Sequence, residues 1–400
     1  MHFSAPAAPI KLMAMNDTPE QADFRHSVRQ FVQREIAPHI NAWDEAGSFP
    51  RELYARAAAV GLLQLGYPEH LGGTPCDWPF RLIATQEIAG AGSGGLMASL
   101  FSHNIGLPPI VAHGSAELQQ RVVPQVLAGE RVAALGITES GGGSDVARLR
   151  TRARLDGDHY VIDGEKTFIT SGMRADWITL AVRTGHPGAA GVSLIAVPGD
   201  SPGITRTALH KMGWWCSDTA QLHFNSVRVP ACNLIGAENS GFRMIMSNFN
   251  AERLLMSAGA VTYAELCLQE ATSWALQRKT FGQALAEHQA IRHRLMDMRT
   301  QLIASRALLL DVAARLDAQP NDPLTVADLC LLKNHATSTM QTCADHAVHI
   351  LGGMGYMRGT HSERIYREVK VMQIGGGATE IMKELAWRQL GVADASHGQG

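Results

Sequence analysis

The run Gly136-Ile137-Thr138-Glu139-Ser140-Gly141-Gly142-Gly143-Ser144-Asp145 is the first stretch able to hold a ligand. Its glycines let main chain approach a bound group closely, and Thr138 and Ser144 supply hydroxyls. A flexible glycine loop explains the same run, and the pattern alone does not choose between the two. It is not a P-loop, because no Lys-Ser or Lys-Thr follows the glycines. The six cysteines, at 76, 216, 232, 267, 330 and 343, are scattered without a Cys-x-x-Cys pair. Neither a metal site nor a disulfide framework is expected, and a reducing, cytoplasmic setting fits. Residues 88–116 contain no Asp, Glu, Lys or Arg, but six glycines, Pro108, Pro109 and two histidines interrupt them. Such a stretch makes a poor membrane helix and reads as buried or pocket-lining.

These residues must be carried by a large scaffold. A chain of 400 residues with 46% hydrophobic content is expected to form two or three lobes of about 100–200 residues. Charged residues are 18%, against about 25% in an average soluble chain. With 35 Lys and Arg against 37 Asp and Glu, the net charge is −2. That balance gives no basic footprint for nucleic acid, and the thin charge hints at surface buried in an oligomer. Residues 1–17 lack a basic n-region and a continuous apolar core, so a disordered or extended N-terminal segment is expected rather than a secretory signal, with Met13 or Met15 as alternative starts.

Thr18-Pro19-Glu20-Gln21 forms a capping box, and Phe24, Val28, Phe31, Val32 and Ile36 continue at helical spacing to about residue 41. Similar patterns at 50–60, 79–91 and 116–128 complete an N-terminal helical domain, 18–133. Asp156-Gly157 and Asp163-Gly164 mark tight turns between short alternating runs at 160–162 and 167–170. Further runs at 177–182, 191–197 and 220–229 predict a central antiparallel β-barrel or sandwich over 134–235. Helical patterns at 242–279, 287–316, 324–351 and 379–390 then predict a C-terminal four-helix bundle domain, 236–400. The expected class is α+β, with helices, a β insert and a bundle in that order.

That order carries four motifs: the run at 136–145, Lys166-Thr167-Phe168-Ile169-Thr170-Ser171-Gly172, Arg278-Lys279-Thr280-Phe281-Gly282, and Ile350-Leu351-Gly352-Gly353-Met354-Gly355-Tyr356. Together they resemble the acyl-CoA dehydrogenase family over about residues 18–390. The resemblance implies one FAD per subunit, a homotetramer or a dimer, and α,β-desaturation of an acyl-CoA thioester in fatty acid β-oxidation. Electrons would pass to an electron-transfer flavoprotein. It implies that Leu135, Ile137 and Thr138 touch the isoalloxazine, with Phe168 and Thr170 on its other side. Phe168 stands where the family usually has tryptophan, which keeps an aromatic surface without an indole N–H. Ser144 would face the pantetheine arm. Arg278 would pair with the FAD pyrophosphate of a neighbouring subunit, its planar guanidinium matching phosphate oxygens. Without the resemblance, a surface ion pair is the simpler reading of Arg278. Thr280, Phe281, Gln289 and the backbone at Gly353 would help hold the adenosine half, and His349 replaces a glutamine common at its position.

Desaturation needs a carboxylate base in a dry site. Many family members place a glutamate just before the final helix, where Gln373-Ile374-Gly375-Gly376-Gly377-Ala378-Thr379-Glu380 has Gly376 instead. A subset, including isovaleryl-CoA and long-chain enzymes, carries it on the long helix before the arginine motif. There Phe249-Asn250-Ala251-Glu252-Arg253-Leu254-Leu255 sets Glu252 26 residues ahead of Arg278, as in that subset. Its helical neighbours Asn248, Phe249, Leu255 and Met256 offer no cation to stabilise its charged form, which suits a general base. A solvent-facing glutamate is the plain alternative, and Glu380 is the nearest rival. The Gly376 N–H is expected to join an oxyanion-type clamp on the thioester carbonyl. The missing side chains at 375–377 are expected to leave room for a branched or bulky acyl chain. Asn250 and Arg253 would lie near the thioester or pantetheine. Met97, Leu100 and Phe101 either line the acyl cavity or simply pack the core. A flavin oxidase or monooxygenase on the same fold remains an alternative, as does a non-catalytic acyl-CoA-binding relative.

Overall fold

The computed structural model describes residues 17–391, so the extended segment expected at 1–17 lies, apart from Asp17, outside the described residues. Thr18 caps α1 (Pro19–Phe31) through the expected reciprocal box with Gln21. The periodic stretch up to residue 41 is not one helix. Val32–Ile36 form a π-helical turn ahead of Pro38, which has no N–H to continue the ladder, and α2 (Ile40–Ala46) follows. Next come α3 (Glu52–Ala59) and α4 (Trp78–Ala89). The uncharged segment folds into three short helices, α5 (Gly94–Leu100), α6 (His103–Gly106) and α7 (Pro108–His113), before α8 (Ala116–Leu127).

Eight strands make one sheet: β1 (Ala133–Gly136), β2 (Arg152–Asp156), β3 (His159–Thr170), β4 (Trp177–Arg183), β5 (Val192–Pro198), β6 (Ile204–Ala208), β7 (Thr219–Pro230) and β8 (Leu234–Ile235). The order is β6-β7-β3-β2-β4-β5-β8, with β1 paired to β4. Pairing is antiparallel except for β1 on β4 and one parallel pair, Arg152 with Arg183, joining β2 to β4. Side chains alternate between the faces. Ile178, Leu180, Ile195 and Val197 enter one apolar cluster with Ile162, Leu222 and Phe224. Ala181, Leu194 and Ala196 enter another with Leu118, Val122 and Ile245. Both faces of β4 and β5 are therefore covered, which makes their runs nearly all apolar.

The remaining chain forms α9 (Gly241–Gln277), β9 (Lys279–Thr280), β10 (Gln283–Ala284), α10 (Gln289–Ala318), α11 (Pro323–Leu351), α12 (Gly353–Tyr356), α13 (His361–Ile374) and α14 (Thr379–Gln389). The helix α13 carries a short apolar stripe, Ile365, Val369 and Met372, at helical spacing. That stripe shares the buried face with Ser362, Glu363, Arg364 and Glu368, which dilute its signal, so 361–374 carries no helix expectation from the sequence. Two compact units emerge, one of residues up to 41, 77–94 and 253 onward, the other of 42–76 and 95–252. No helix among the described residues is long and apolar enough to cross a membrane.

Candidate active site

The sheet brings the first group of expected residues together. β1 delivers Leu135, and a Cβ at the next residue, Gly136, would press on Leu180 Cδ1 at 2.9 Å, so glycine fits there without moving that side chain. The following loop is sewn to β3: Thr167 N donates to the Thr138 carbonyl at 2.8 Å, and Lys166 Nζ donates to the Ile137 carbonyl at 3.0 Å. Lys166 is wholly buried, and its ammonium also donates to Glu139 Oε1 at 2.8 Å. The Glu139 carboxylate in turn accepts the backbone N–H groups of Arg150 and Thr151. Burial pulls Lys166 down to about 8 in spite of Glu139. At Glu139 burial acts upward, but the Lys166 charge and the hydrogen bonds outweigh it and leave the carboxyl below its ordinary value. Both values move down, which favours the charged carboxylate and opposes the charged ammonium; with about 8 still above neutral pH and a 2.8 Å contact, both groups are charged at pH 7.

The β3–β7 register slips between Lys166 and Ile169. At that slip Phe168 takes φ 59, and its ring is 69% exposed. A left-handed aromatic residue is a strained conformation that needs a reason. Phe168 joins neither apolar cluster of the sheet, while its neighbour Ile169 is buried in one. Thr170 is half-buried, and Ser144 lies exposed in the glycine loop that folds back until Gly143 nears Thr138 Cγ2. Met97 and Leu100 are buried on α5; Phe101 is half-buried, edge-on to His103 at 6.1 Å.

A second group surrounds the glycine turn between α13 and α14. Arg253, 4% exposed, donates from Nε to the Gly376 carbonyl at 3.0 Å. Arg253 is peptide-bonded to Glu252, which is partly buried on α9, as is Asn250. Gly376 adopts φ 65, and a Cβ there would sit 3.0 Å from Met256 Sδ. At Gly377, φ 111, a Cβ would collide with Met382 Cε at 2.2 Å. The Met256 and Met382 thioethers thus stand beside the Cβ positions of Gly376 and Gly377. Glu380 is exposed in the first turn of α14, where a carboxylate favours the helix dipole and meets water. That environment does not suit a base.

A third group ends α9. The β9–β10 hairpin turns through Phe281 at φ 50 and Gly282 at φ 85, closed by the Leu285 N–H on the Arg278 carbonyl at 2.8 Å. Phe281 is 98% exposed, Arg278 and Gln289 are exposed, and Thr280 is within 3.3 Å of His288. α10 and α11 run antiparallel, with Ser305 bonded to Thr339 and the Cys343 thiol against the Met298 carbonyl. This sets Gln289 and the exposed residues His349 and Gly353 at the same end of the pair. Along α9, Glu252 and Gln277 are roughly 38 Å apart at about 1.5 Å per residue. Glu252 and Arg278 of one chain are therefore not brought together. Lys166 and Glu139 both stand inside the motifs at 136–145 and 166–172, but only their contact across 27 residues reveals them as a pair.

Comparison with known proteins identifies the family. Models described as acyl-CoA dehydrogenase N-terminal, middle and C-terminal domains match residues 18–130, 134–227 and 239–391. The long-chain specific acyl-CoA dehydrogenase of Sus scrofa mitochondria is 36% identical, covering 92% of this chain and 85% of that protein. A cyclohexane-1-carbonyl-CoA dehydrogenase of Geobacter metallireducens is 34% identical over 94% of this chain and 98% of its own. The crystal structure of a probable acyl-CoA dehydrogenase from Mycobacterium abscessus superposes with a TM-score of 0.91 at 47% identity, covering 93% of this chain and 99% of that one. The helix–sheet–helix order and these matches define an oxidoreductase. The chain belongs to the acyl-CoA dehydrogenase family.

Proposed function

We propose that this enzyme desaturates an acyl-CoA thioester between its α and β carbons, with Glu252 as the general base and FAD as its cofactor. One observation carries the choice of base. Where a glutamate could precede the last helix stands Gly376, and its carbonyl is tied by Arg253 to the α9 turn next to Glu252. Glu252 is partly buried there, while Glu380 faces water.

The residues fit a flavin. Phe168 presents an exposed ring from a strained backbone, beside a Thr138 loop that two buried hydrogen bonds and an ion pair hold still. Leu135, Ile137, Thr138, Phe168 and Thr170 would hold the ring system. When bound, FAD supplies the two-electron acceptor for the hydride leaving the β-carbon. The Glu252 carboxylate takes the α-proton, and the Gly376 N–H polarises the thioester carbonyl, which acidifies that proton. Ser144, Asn250 and Arg253 lie towards the pantetheine, Arg253 through its hold on the turn. Met97, Leu100 and Phe101 bound the acyl chain.

Because Arg278 lies at the far end of α9 from Glu252, the adenosine half is held by Arg278, Thr280, Phe281, Gln289, His349 and Gly353 of a second copy. That requires a homodimer or homotetramer, and the near-complete exposure of Phe281 in the single chain supports it. On this reading 18–133, 134–235 and 236–400 are the functional domains. Electrons pass to an electron-transfer flavoprotein, in a reducing cytoplasm that suits six free cysteines. A branched or bulky acyl chain fits if the Met256 and Met382 thioethers, unbranched and adaptable, yield to it.

The test is anaerobic reduction of the yellow holoenzyme by acyl-CoA. Glu252→Gln is expected to keep flavin and ligand yet reduce its flavin at least ~10²-fold more slowly. Normal reduction in that variant, with loss in Glu380→Gln, overturns the assignment.

A further inference from the structure

A lysine is costly to bury unless its ammonium finds acceptors. Lys333, midway along α11, is 0% exposed. Its Nζ donates to the carbonyls of Gln373 at 2.9 Å and Gly377 at 2.7 Å. Those two carbonyls bracket the Gly375–Gly376 peptide. Arg253 Nε holds the carbonyl between them, that of Gly376, at 3.0 Å. The neighbour Asn334 donates to the Thr379 carbonyl at 2.9 Å, and Gly375 N–H returns to the Val371 carbonyl at 2.7 Å.

Three consecutive glycines, two at positive φ, would otherwise sample many backbone conformations. Here their path is set by two cations reaching in from separate helices, α9 and α11. Capping the carboxyl end of α13 needs only a cation near its last carbonyls, and a surface lysine would serve. A fully buried lysine spanning both sides of the turn does more than cap.

We propose that Lys333 is a positioning residue for the reaction, fixing the Gly375–Gly377 main chain so that the Gly376 amide keeps its aim at the thioester carbonyl. This rests on the reading of Gly376 as part of the carbonyl clamp. Lys333 acts through the main chain, without touching the substrate. Loosening the turn weakens polarisation of the carbonyl in the transition state, so kcat falls more than KM changes.

The experiment compares holoenzyme carrying Lys333→Met, Lys333→Arg or Glu252→Gln with the wild type. Three quantities are read: amide hydrogen exchange at 375–379, kcat and KM, and the pH at which a 3-thia acyl-CoA (not oxidisable, but acidic at its α-carbon) develops a long-wavelength band. Lys333→Met should speed exchange at 375–379 at least ~10-fold, with the rest of α11 unchanged. It should lower kcat ~10- to 100-fold with KM within about threefold, and move the band to higher pH. Lys333→Arg should restore most of each. Wild-type exchange and kcat in Lys333→Met overturn the proposal, as do equal losses in the Met and Arg variants accompanied by general destabilisation. If Lys333→Met does not fold, Lys333→Arg and the wild type decide: wild-type exchange at 375–379 as fast as in an open loop overturns it. Normal turnover in Glu252→Gln, or no band in the wild type, sinks the reading of the site itself, whatever Lys333 does.

Discussion

The Lys166–Glu139 pair shows what a single contact does for the sheet. It is a buried ion pair with each partner's remaining hydrogen bonds satisfied by backbone, so removing one member leaves a charge stranded. Lys166→Met should destabilise the protein by about 3–5 kcal/mol and loosen flavin retention, while Lys166→Met with Glu139→Gln recovers much of the stability. Thermal melting with flavin release as a second signal checks both. The pair also predicts an acid dependence. The folded Glu139 carboxyl lies below its ordinary value of 4.5, so its stabilising share is complete above 4.5 and is lost as pH falls through the folded value. Melting temperatures taken downward from about pH 5 should fall less steeply in the double variant than in the wild type. A parallel slope would remove Glu139 from the account. At the glycine turn, substrate breadth is a question about Met256. A panel of acyl-CoAs should show turnover of branched chains, and turnover of straight short chains alone would discard the bulky-substrate reading.

At the scale of elements, the β9–β10 hairpin separates strain from packing. Phe281 occupies a left-handed position normally given to glycine or asparagine, and its ring, exposed to solvent, meets the edge of His288 at 6.4 Å. Phe281→Gly should therefore leave folding stability unchanged or raised by up to about 1 kcal/mol. Its FAD affinity should fall about tenfold or more, the scale of one lost 1.4 kcal/mol contact. A variant that binds FAD normally would return Phe281 to the status of an idle surface residue. The same logic explains why α1 breaks where it does. Its amino end is fixed by an isolated box of local hydrogen bonds, and the π-turn at its other end answers to Pro38.

For the whole molecule, the distance between Glu252 and Arg278 along α9 has a consequence for mixed assemblies. Glu252→Gln and Arg278→Ala should each be nearly inactive alone. In a hybrid of the two, one site combines an intact Glu252 from the Arg278→Ala chain with an intact Arg278 from the Glu252→Gln chain. Co-expression should therefore restore about a quarter of wild-type activity for random pairing in a two-fold dimer. No recovery in hybrids would mean that each chain's Arg278 serves its own site. Rapid reoxidation of the reduced holoenzyme by air, without an electron-transfer flavoprotein, would instead favour oxidase chemistry.

Local chemistry and periodicity were enough to read Thr18 as a cap, the runs of β4, β5 and β7 as strands, and α9, α10, α11 and α14 as long helices, because each signal lies within one or two turns of chain. The motifs around Thr138, Phe168, Arg278 and Gly353 stand out as contiguous runs, but their roles came only through the family resemblance. Helix α13 was not legible, since its short stripe of Ile365, Val369 and Met372 is diluted by buried polar residues such as Arg364 and Glu368, whose partners Asn41 and Gly94 lie far off in sequence. Nor could the chain alone say that Lys166 meets Glu139, that Met256 and Met382 occupy the space beside the glycines, or that Lys333 and Arg253 grip one turn. Those pairings depend on which segments fold against which. A buried charge declares its partner only when tertiary contacts bring the acceptor to it.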